Sequence, residues 1–235
     1  MAQVDSSIGG KTGVNSKYGK NLIGSFYQPK LVISDIDTLK TLNKREIVCG
    51  YGEILKHSII SRKKFFKYLD QNFDDIIKLK SPYIEKAIFE SCKIKKDVVE
   101  KDEKESNLRK KLNFGHTFGH SFEASLGYSK RLNHGEAVIL GMMMALKFSN
   151  KNKFLSINDF KLITNHYKNS KLPSNIKKYF KRKDLNKIIK FMKNDKKNNS
   201  DKIKLVLLKK MGQTILNQEY SVKNLNGFLK NELID

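Results

Sequence analysis

Three histidines in the middle of the chain have the residue type and the spacing to bind a metal ion. His116 and His120 stand four residues apart, so on a helix they lie one turn apart on the same face. Neutral imidazoles in that arrangement can bind one metal together, or one can hold the metal while the other transfers a proton. His134 follows at the start of another helical pattern. The alternative is a set of ordinary core or surface histidines.

A carboxylate would complete such a site, and Glu53 is one candidate. It lies in Gly-Glu-Ile-Leu-Lys, residues 52–56, within a helical pattern. One glutamate with two histidines leaves a coordination position open, which is typical of catalytic rather than structural zinc sites. Spacing alone does not select Glu53 from the other carboxylates.

The first thirty residues are rich in glycine and polar residues, which predicts a loop or short hairpin. Residues 6–12 look like a phosphate loop, but no glycine lies five residues before Gly10, so the nucleoside-triphosphate motif is absent. Lys11 and Lys20 could still contact the phosphates of a dinucleotide. The alternative is an ordinary turn.

The elements that must position these residues follow from the apolar pattern. A short apolar run at 31–34 predicts a buried strand. Two apolar segments around Met211-Gly212 predict a hairpin. Apolar residues spaced three or four apart predict helices at 45–61, 63–73, 82–99, 114–124, 136–147, 158–166, 185–192 and 222–229. The predicted fold class is therefore a small α/β portion followed by a mainly α-helical domain.

The charge of the chain suggests an anionic partner. With 47 Lys+Arg against 24 Asp+Glu, the 235 residues carry a formal net charge of +23. Nucleic-acid binding is the first interpretation, but the charge is almost all lysine and no zinc-finger, RNA-binding or basic-zipper pattern accompanies it. We favour solvated lysines or the steering of an anionic small molecule, and we predict no nucleic-acid partner.

Neither a membrane nor an oxidising compartment is indicated. The longest apolar run, residues 137–146, is about half of a membrane span, so it predicts a buried helix. No signal-peptide pattern opens the chain, and two cysteines make no disulfide framework. We predict no membrane partner and a cytoplasmic location.

Several segments, taken in order, closely resemble the 3-dehydroquinate synthase family. They are 4–15, 19–29, 52–56, 102–105, 108–109, 112–120, 134–137 and 195–197. Some are weak individually, but their ordered combination is specific and covers essentially the whole chain. The resemblance implies a dehydroquinate synthase-like fold, in which residues 1–45 are a remnant of an NAD-binding α/β domain and residues 46–235 form the metal- and substrate-binding helical domain.

The resemblance also implies roles for individual residues. The metal, zinc or cobalt, would be held by Glu53, His116 and His134. The NAD site would be lined by Asp5, Lys11, Lys20, Asn21, Thr38, Leu39, Lys40 and Thr41. The substrate and catalytic positions would be Lys56, Lys95, Asp102, Arg109, Asn113, His120 (a proton relay beside the metal), Lys196 and Lys197. We expect Arg109, Lys95 and Lys56 to face one cleft with the metal.

The implied activity is that of a phosphate-eliminating lyase of the shikimate pathway. Transient NAD-dependent oxidation, with metal assistance, would convert 3-deoxy-D-arabino-heptulosonate 7-phosphate to 3-dehydroquinate and phosphate. Lysine and arginine suit the phosphate and carboxylate of this substrate, and Arg109 offers a bidentate fork. The family resemblance further implies a homodimer for the full-length enzyme.

The chain also departs from the family pattern. Family members carry a further upstream segment with a glycine-rich dinucleotide loop and a Thr-Thr pair. We therefore expect a fragment, a misplaced start or a truncated gene product. We expect this chain not to complete the reaction alone, with the strand at 31–34 leaving an open edge.

Two other functions are compatible with part of the pattern. One is another sugar-phosphate cyclase or a metal-dependent polyol dehydrogenase, against which Lys95, Asp102, Arg109, Asn113 and His120 together favour the dehydroquinate branch. The other, of a different class, is a basic nucleic-acid-binding domain, which predicts steeply salt-dependent binding without a metal.

Overall fold

The helices occupy the segments where apolar residues recur at helical spacing. The computed structural model describes residues 1–16, 19–194 and 202–234, with backbone alone at 15–16, 19–22 and 194. Its α-helices are α1 (Lys44–Ser61), α2 (Lys63–Gln71), α3 (Phe73–Ile77), α4 (Tyr83–Lys101), α5 (His116–Ser125), α6 (His134–Lys151), α7 (Ile157–Asn169), α8 (Leu185–Asn194) and α9 (Val222–Leu233). Short 3-10 helices, among them Ile36–Thr41 and Leu108–Asn113, connect them. The predicted class, a small α/β portion followed by a mainly helical domain, is confirmed.

Among the described residues, no helix is both long and apolar enough to cross a membrane.

Two antiparallel hairpins supply the strands of the described chain. β1 (Val14–Ser16) pairs with β2 (Gly19–Ile23) in the glycine-rich amino-terminal segment. β3 (Lys202–Lys210) pairs with β4 (Gln213–Ser221), as predicted from the two apolar segments. Gly212 makes that turn with a φ of +87°, a conformation that favours glycine. Its N–H donates to Ile59 O at 2.8 Å, which fixes the hairpin to the end of α1.

The predicted buried strand at residues 31–34 is wrong. Leu31 and Ile33 are 75% and 81% exposed, and no strand of the described residues pairs with this segment. An apolar run forms a buried strand only when a neighbouring strand pairs with its backbone N–H and C=O groups and other residues cover one of its faces. The predicted helix at 63–73 is also interrupted, because Asn72 separates α2 from α3.

Close crossings of α6 with α1 and α5 build the centre of the helical domain. Glycines on these helices leave no room for a side chain. A Cβ on Gly135 would lie 2.4 Å from the Cys49 backbone of α1, and one on Gly141 would lie 2.2 Å from Gly115 O beside α5. Every residue from 137 to 146 on α6 is buried. The amino-terminal end of α6 is therefore held against α1, and that of α5 is held against the middle of α6.

Polar contacts fix where α6 begins. The backbone N–H of Asn133 donates to Glu136 Oε2 at 2.9 Å, which caps the first turn of the helix. Arg45 of α1 donates to both oxygens of Glu136, at 2.7 and 2.6 Å, in a bidentate pair. These contacts place His134, the first residue of α6, beside α1.

Candidate active site

Three helices bring together the residues with metal-binding chemistry. Glu53 lies in the middle of α1, His116 is the first residue of α5, and His134 is the first residue of α6. One potential ligand atom from each lies within 4.8 Å of the others. Residues 63 and 18 positions apart in sequence thus converge because the glycine-lined crossings bring their helices together.

The carboxylate of Glu53 has one engaged oxygen and one unengaged oxygen. Its Oε2 accepts a hydrogen bond from the Lys56 ammonium, and both side chains are almost fully buried. Its Oε1 is buried without a hydrogen-bond partner, 3.9 Å from His116 Nε2. A buried anionic oxygen without a partner carries a desolvation penalty, which a cation coordinated there would remove. The residues present therefore fit a divalent metal with one carboxylate and two imidazole ligands.

The two histidines have opposite electrostatic environments. Burial lowers the pKa of His116 well below its usual range, and the neighbouring Lys56 ammonium adds to this effect. A neutral imidazole is the form that binds a metal. The hydrogen bond to Glu123 raises the pKa of His134.

His120 lies one turn beyond His116 on α5. Its ring centroid is 5.1 Å from that of His116 and 5.9 Å from that of His134. His120, Glu123 and His134 also bring ligand atoms within 4.8 Å of one another, so His134 belongs to two overlapping groups. Sequence reasoning missed Glu123, although its position seven residues after His116 places it on the same helix face.

A cavity of about 480 Å³ opens beside Glu53 and His134. Asp5, Thr38 and Leu39, three of the predicted NAD-site residues, line the same cavity. The structure therefore brings part of the predicted cofactor set next to two of the predicted metal ligands. Lys40 and Thr41 are exposed on the same 3-10 helix as Thr38 but are not among the residues that line this cavity.

Lys95 joins the amino-terminal segment to the site. Its buried ammonium donates to the backbone oxygen of Asp5 and, at 3.1 Å, to Asp5 Oδ1. Burial alone would raise the pKa of Asp5, but Lys95, with help from Lys56, lowers it to about 2. Asp5, Lys56 of α1 and Lys95 of α4 thus form one electrostatically coupled group.

Arg109, like Lys56 and Lys95, is not among the residues that line this cavity, and its guanidinium donates to backbone carbonyls. Its Nη2 donates to Gly9 O at 2.6 Å and its Nη1 donates to Glu103 O. The residue is only 3% exposed, and burial lowers its pKa. Gly9 has a φ of +113°, and a Cβ there would lie 2.5 Å from Arg109 Nη2. The guanidinium therefore clamps the glycine-rich segment in this conformation.

The remaining predicted residues near Arg109 organise the loop between α4 and the following 3-10 helix. Asp102 accepts from Ser106 and Asn107 at 2.8 Å and from the backbone of Arg109 at 2.9 Å. The Arg109 N–H in particular lowers the pKa of Asp102 well below its usual range. Glu105, to which no role was assigned, accepts from Asn113 at 2.6 Å and from Lys11.

For four predicted residues the structure describes the backbone alone or does not describe the residue. Lys20 and Asn21 belong to β2, of which the backbone is described. Lys196 and Lys197 lie outside the described residues. Their predicted roles stay predictions.

The other two histidines have partners elsewhere in the core. His57 Nδ1 lies 2.7 Å from Ser91 Oγ. His166 bridges Tyr51 and Asp70, each at 2.8 Å. His116, His120 and His134 face one another, whereas each of the other two histidines contacts non-histidine partners in the core.

The fold matches that of two solved synthases. The chain superposes on 2-epi-5-epi-valiolone synthase from Streptomyces hygroscopicus subsp. jinggangensis 5008, determined with NAD⁺ and Zn²⁺ bound, with a TM-score of 0.84 and 20% identity, over 98% of this chain and 63% of that one. It superposes on 2-deoxy-scyllo-inosose synthase, complexed with carbaglucose-6-phosphate, NAD⁺ and Co²⁺, with a TM-score of 0.80 and 23% identity, over 98% of this chain and 64% of that one. The chain thus shares the fold of these two synthases over almost its whole length.

Sequence comparison defines the family. The family model described as 3-dehydroquinate synthase C-terminal matches residues 50–198, and the one described as 3-dehydroquinate synthase N-terminal matches residues 1–49. The chain belongs to the 3-dehydroquinate synthase family.

Curated relatives agree with this assignment. The chain is 61% identical to the 3-dehydroquinate synthase of Pelagibacter ubique (strain HTCC1062), over 99% of this chain and 63% of the relative. It is 45% identical to that of Aliivibrio fischeri (strain MJ11), over 91% of this chain and 58% of the relative. The chain therefore spans about three-fifths of the length of these relatives.

Proposed function

We propose that this chain provides the metal- and substrate-binding part of a 3-dehydroquinate synthase, a lyase that converts 3-deoxy-D-arabino-heptulosonate 7-phosphate to 3-dehydroquinate and phosphate. Family membership supports the reaction class. The observation that carries the proposal is the convergence of Glu53, His116 and His134 around a buried carboxylate oxygen without a partner.

In this proposal the metal is held by Glu53 through Oε1 and by the imidazoles of His116 and His134. When bound, the divalent metal polarises a substrate oxygen and NAD accepts and returns a hydride. Lys56 holds Glu53 Oε2 and so leaves Oε1 for the metal. His120, one turn from His116, is placed to move a proton beside the metal.

The anionic groups of the substrate would be bound by the basic residues around α1. Lys56 and Lys95 are buried ammonium groups near the cavity, where low dielectric strengthens their attraction for phosphate or carboxylate. Arg109 would reach the substrate by exchanging its two carbonyl partners for an anion. The same proposal assigns substrate contacts to Asp102, Asn113, Lys196 and Lys197.

NAD is proposed as the cofactor on two grounds. The two superposed synthases were determined with NAD⁺. In this chain, Asp5, Thr38 and Leu39 line the cavity next to the proposed metal ligands. The other proposed contacts are Lys11, Lys20, Asn21, Lys40 and Thr41.

Three further parts of the proposal are supported by the family resemblance. The first is a division into a cofactor-binding portion at 1–45 and a helical domain at 46–235. The second is a homodimer, which light scattering of the purified protein would test. The third is a cytoplasmic location, which cell fractionation would test.

Metal binding and phosphate release test the proposal together. We expect the purified chain to bind one zinc ion, and Glu53→Gln to weaken that affinity by on the order of a hundredfold or more, because it removes an anionic ligand. Glu100→Gln, at an exposed ion pair with Lys96, is the matched control and should leave affinity unchanged. Equal affinity in the two variants would exclude the proposed ligand set.

The activity itself is tested with zinc, NAD and the heptulosonate phosphate, following phosphate release. The assay compares the chain alone with the chain joined to the amino-terminal part of the Pelagibacter relative. Release by the joined protein supports the proposal, and comparable turnover of a heptulose phosphate that lacks the carboxylate would favour another sugar-phosphate cyclase.

A further inference from the structure

We propose that Glu123 is a positioning residue for the metal site, which holds the ring of His134 by its Nδ1 and so presents Nε2 to the metal. This inference rests on the proposed function, because it takes His134 to be a metal ligand. It assigns a role to a residue that is neither in the predicted ligand set nor in the predicted substrate set.

The contact is well defined in the structure. Glu123 lies in the last turn of α5, and its Oε2 accepts the Nδ1–H of His134, the first residue of α6, at 2.9 Å. The Glu123 side chain is 6% exposed, whereas the His134 side chain is 45% exposed. Contacts with the rings of His116 and His120 cover only part of this ring, so the buried carboxylate adds a directional restraint.

The chemistry of imidazole makes this contact directional. A neutral ring carries one N–H and one lone pair, on opposite nitrogens. When Nδ1 carries the hydrogen and donates to a carboxylate, the lone pair is on Nε2 and is available to a metal. The carboxylate also increases the electron density on the ring, which strengthens the metal bond.

The helix face explains why this carboxylate is available. His116, His120 and Glu123 stand at positions i, i+4 and i+7 of α5, so they share the face that packs against α6. The rise of the helix separates the Cα atoms of His116 and Glu123 by roughly 10 Å. Glu123 is correspondingly absent from the group formed by Glu53, His116 and His134. It reaches the proposed metal through His134.

The competing interpretation is a second metal ion held by His120, Glu123 and His134. These residues also bring ligand atoms within 4.8 Å of one another. The hydrogen-bond length between Glu123 and His134 favours a shared proton over an intervening ion. Metal stoichiometry distinguishes the two.

Zinc titration of the full chain provides the first test. We expect one ion per chain, and a loss of affinity of about 10- to 100-fold in Glu123→Gln. Glu123→Asp, which keeps the carboxylate, should lose less, and Glu100→Gln should lose nothing. Unchanged zinc affinity in Glu123→Gln would overturn the inference. It would also be overturned if the wild type bound two ions per chain and Glu123→Gln bound only one.

A spectroscopic readout separates this inference from the proposed ligand set. In the metal-free chain at about pH 9, where imidazole is neutral, the ¹⁵N shifts of His134 should show hydrogen on Nδ1. The Glu123→Ala variant should show a mixture of tautomers, and circular dichroism would verify that it is folded. An unchanged tautomer overturns the positioning role. If Glu53→Gln binds zinc like the wild type, the ligand set fails instead.

Discussion

The helical domain and the amino-terminal segment from residue 9 to residue 33 are held in place by different contacts. In the helical domain, α6 crosses α1 and α5 so closely that glycine is required at the crossings, and most residues of these three helices are buried. The metal-binding candidates lie on these three helices. Their arrangement therefore depends on apolar packing among these helices.

The amino-terminal segment is attached by polar contacts to the loop between α4 and α5. Lys11 pairs with Glu105, Gln28 donates to Glu103 at 3.1 Å, and Arg109 holds Gly9 O. Leu31 and Ile33, the apolar residues that follow, are exposed. The comparison shows that Glu53, His116 and His134 all lie in the packed domain, whereas Lys11, Lys20 and Asn21, three of the predicted cofactor residues, lie in the lightly attached segment.

The largest expected effect is at the helix crossings. Gly141→Ala places a Cβ 2.2 Å from Gly115 O and 2.6 Å from Gly119 N, two backbone atoms that cannot rotate away. We expect a loss of about 4 kcal/mol in the free energy of unfolding, together with weaker zinc binding. Denaturant unfolding measures the loss in the free energy of unfolding. Gly227→Ala on α9 meets no atom within 4 Å and should be neutral or stabilising; similar losses in both variants would contradict the packing argument.

A smaller effect is expected from the charged pair inside the packed domain. Lys56→Met leaves the Glu53 carboxylate buried without its ammonium partner, which should destabilise the metal-free chain by about 3 kcal/mol. Zinc should restore most of this loss, because the metal replaces the missing positive charge. Thermal unfolding with and without zinc would show a larger stabilisation by zinc in the variant. Lys96→Met, at an exposed pair, is the control; if zinc stabilised both variants equally, Glu53 would not be the ligand.

The contact of Asp5, which precedes the amino-terminal segment, with Lys95 of the packed domain should depend on pH. The pKa of Asp5 is about 2 in the folded chain, below its ordinary value of 3.8. The carboxylate therefore contributes stability that is complete above about pH 4 and is lost as the pH falls towards 2. Because 49% of the side chain is exposed, screening reduces the contribution to about 1 kcal/mol.

Asp5→Asn should remove this contribution near neutral pH and converge with the wild type near pH 2. Unfolding curves across the acid range measure the difference. Asp37→Asn, at an ion pair with Lys40 in which both side chains are more than 70% exposed, should follow the wild type throughout. A constant difference between Asp5→Asn and the wild type at every pH would contradict an electrostatic contact with Lys95.

The smallest effect is expected in the exposed apolar segment. Replacing both Leu31 and Ile33 by serine should change the free energy of unfolding by no more than about 0.5 kcal/mol, since neither side chain is buried. Leu39→Ser, at a position only 3% exposed, should cost about 3 kcal/mol. A large loss from the double variant would mean that the segment packs in solution and that the contrast between the regions is wrong.

Helical periodicity made most of the fold predictable. Each predicted helix has a counterpart, because an amphipathic pattern specifies both the element and its buried face. The strand at 31–34 was wrong because a run of three apolar residues reveals hydrophobicity but not a pairing partner. The break at Asn72 was missed because its flanking residues keep the helical spacing.

The candidate site was predictable to a different degree. Spacing alone placed His116 and His120 on one face, whereas Glu53 could be selected only through the family resemblance. Glu123 was missed because a glutamate within an amphipathic helix is usually solvated, and its partner His134 lies beyond an intervening loop. The hydrogen bond from Arg109 to Gly9 O could not be predicted, because the two residues are 100 positions apart and no sequence pattern near Arg109 indicates the contact.

The convergence of three helices on one site also sets an order for its assembly during folding. His116 and His134 are 18 residues apart on neighbouring helices, so the helical hairpin that carries them closes a short loop. Glu53 precedes His116 by 63 residues, and closing that longer loop costs about 1 kcal/mol more in chain entropy. Loop entropy therefore favours formation of the imidazole pair before the carboxylate arrives, and we expect the docking of α1 to convert a weak two-histidine site into a complete one.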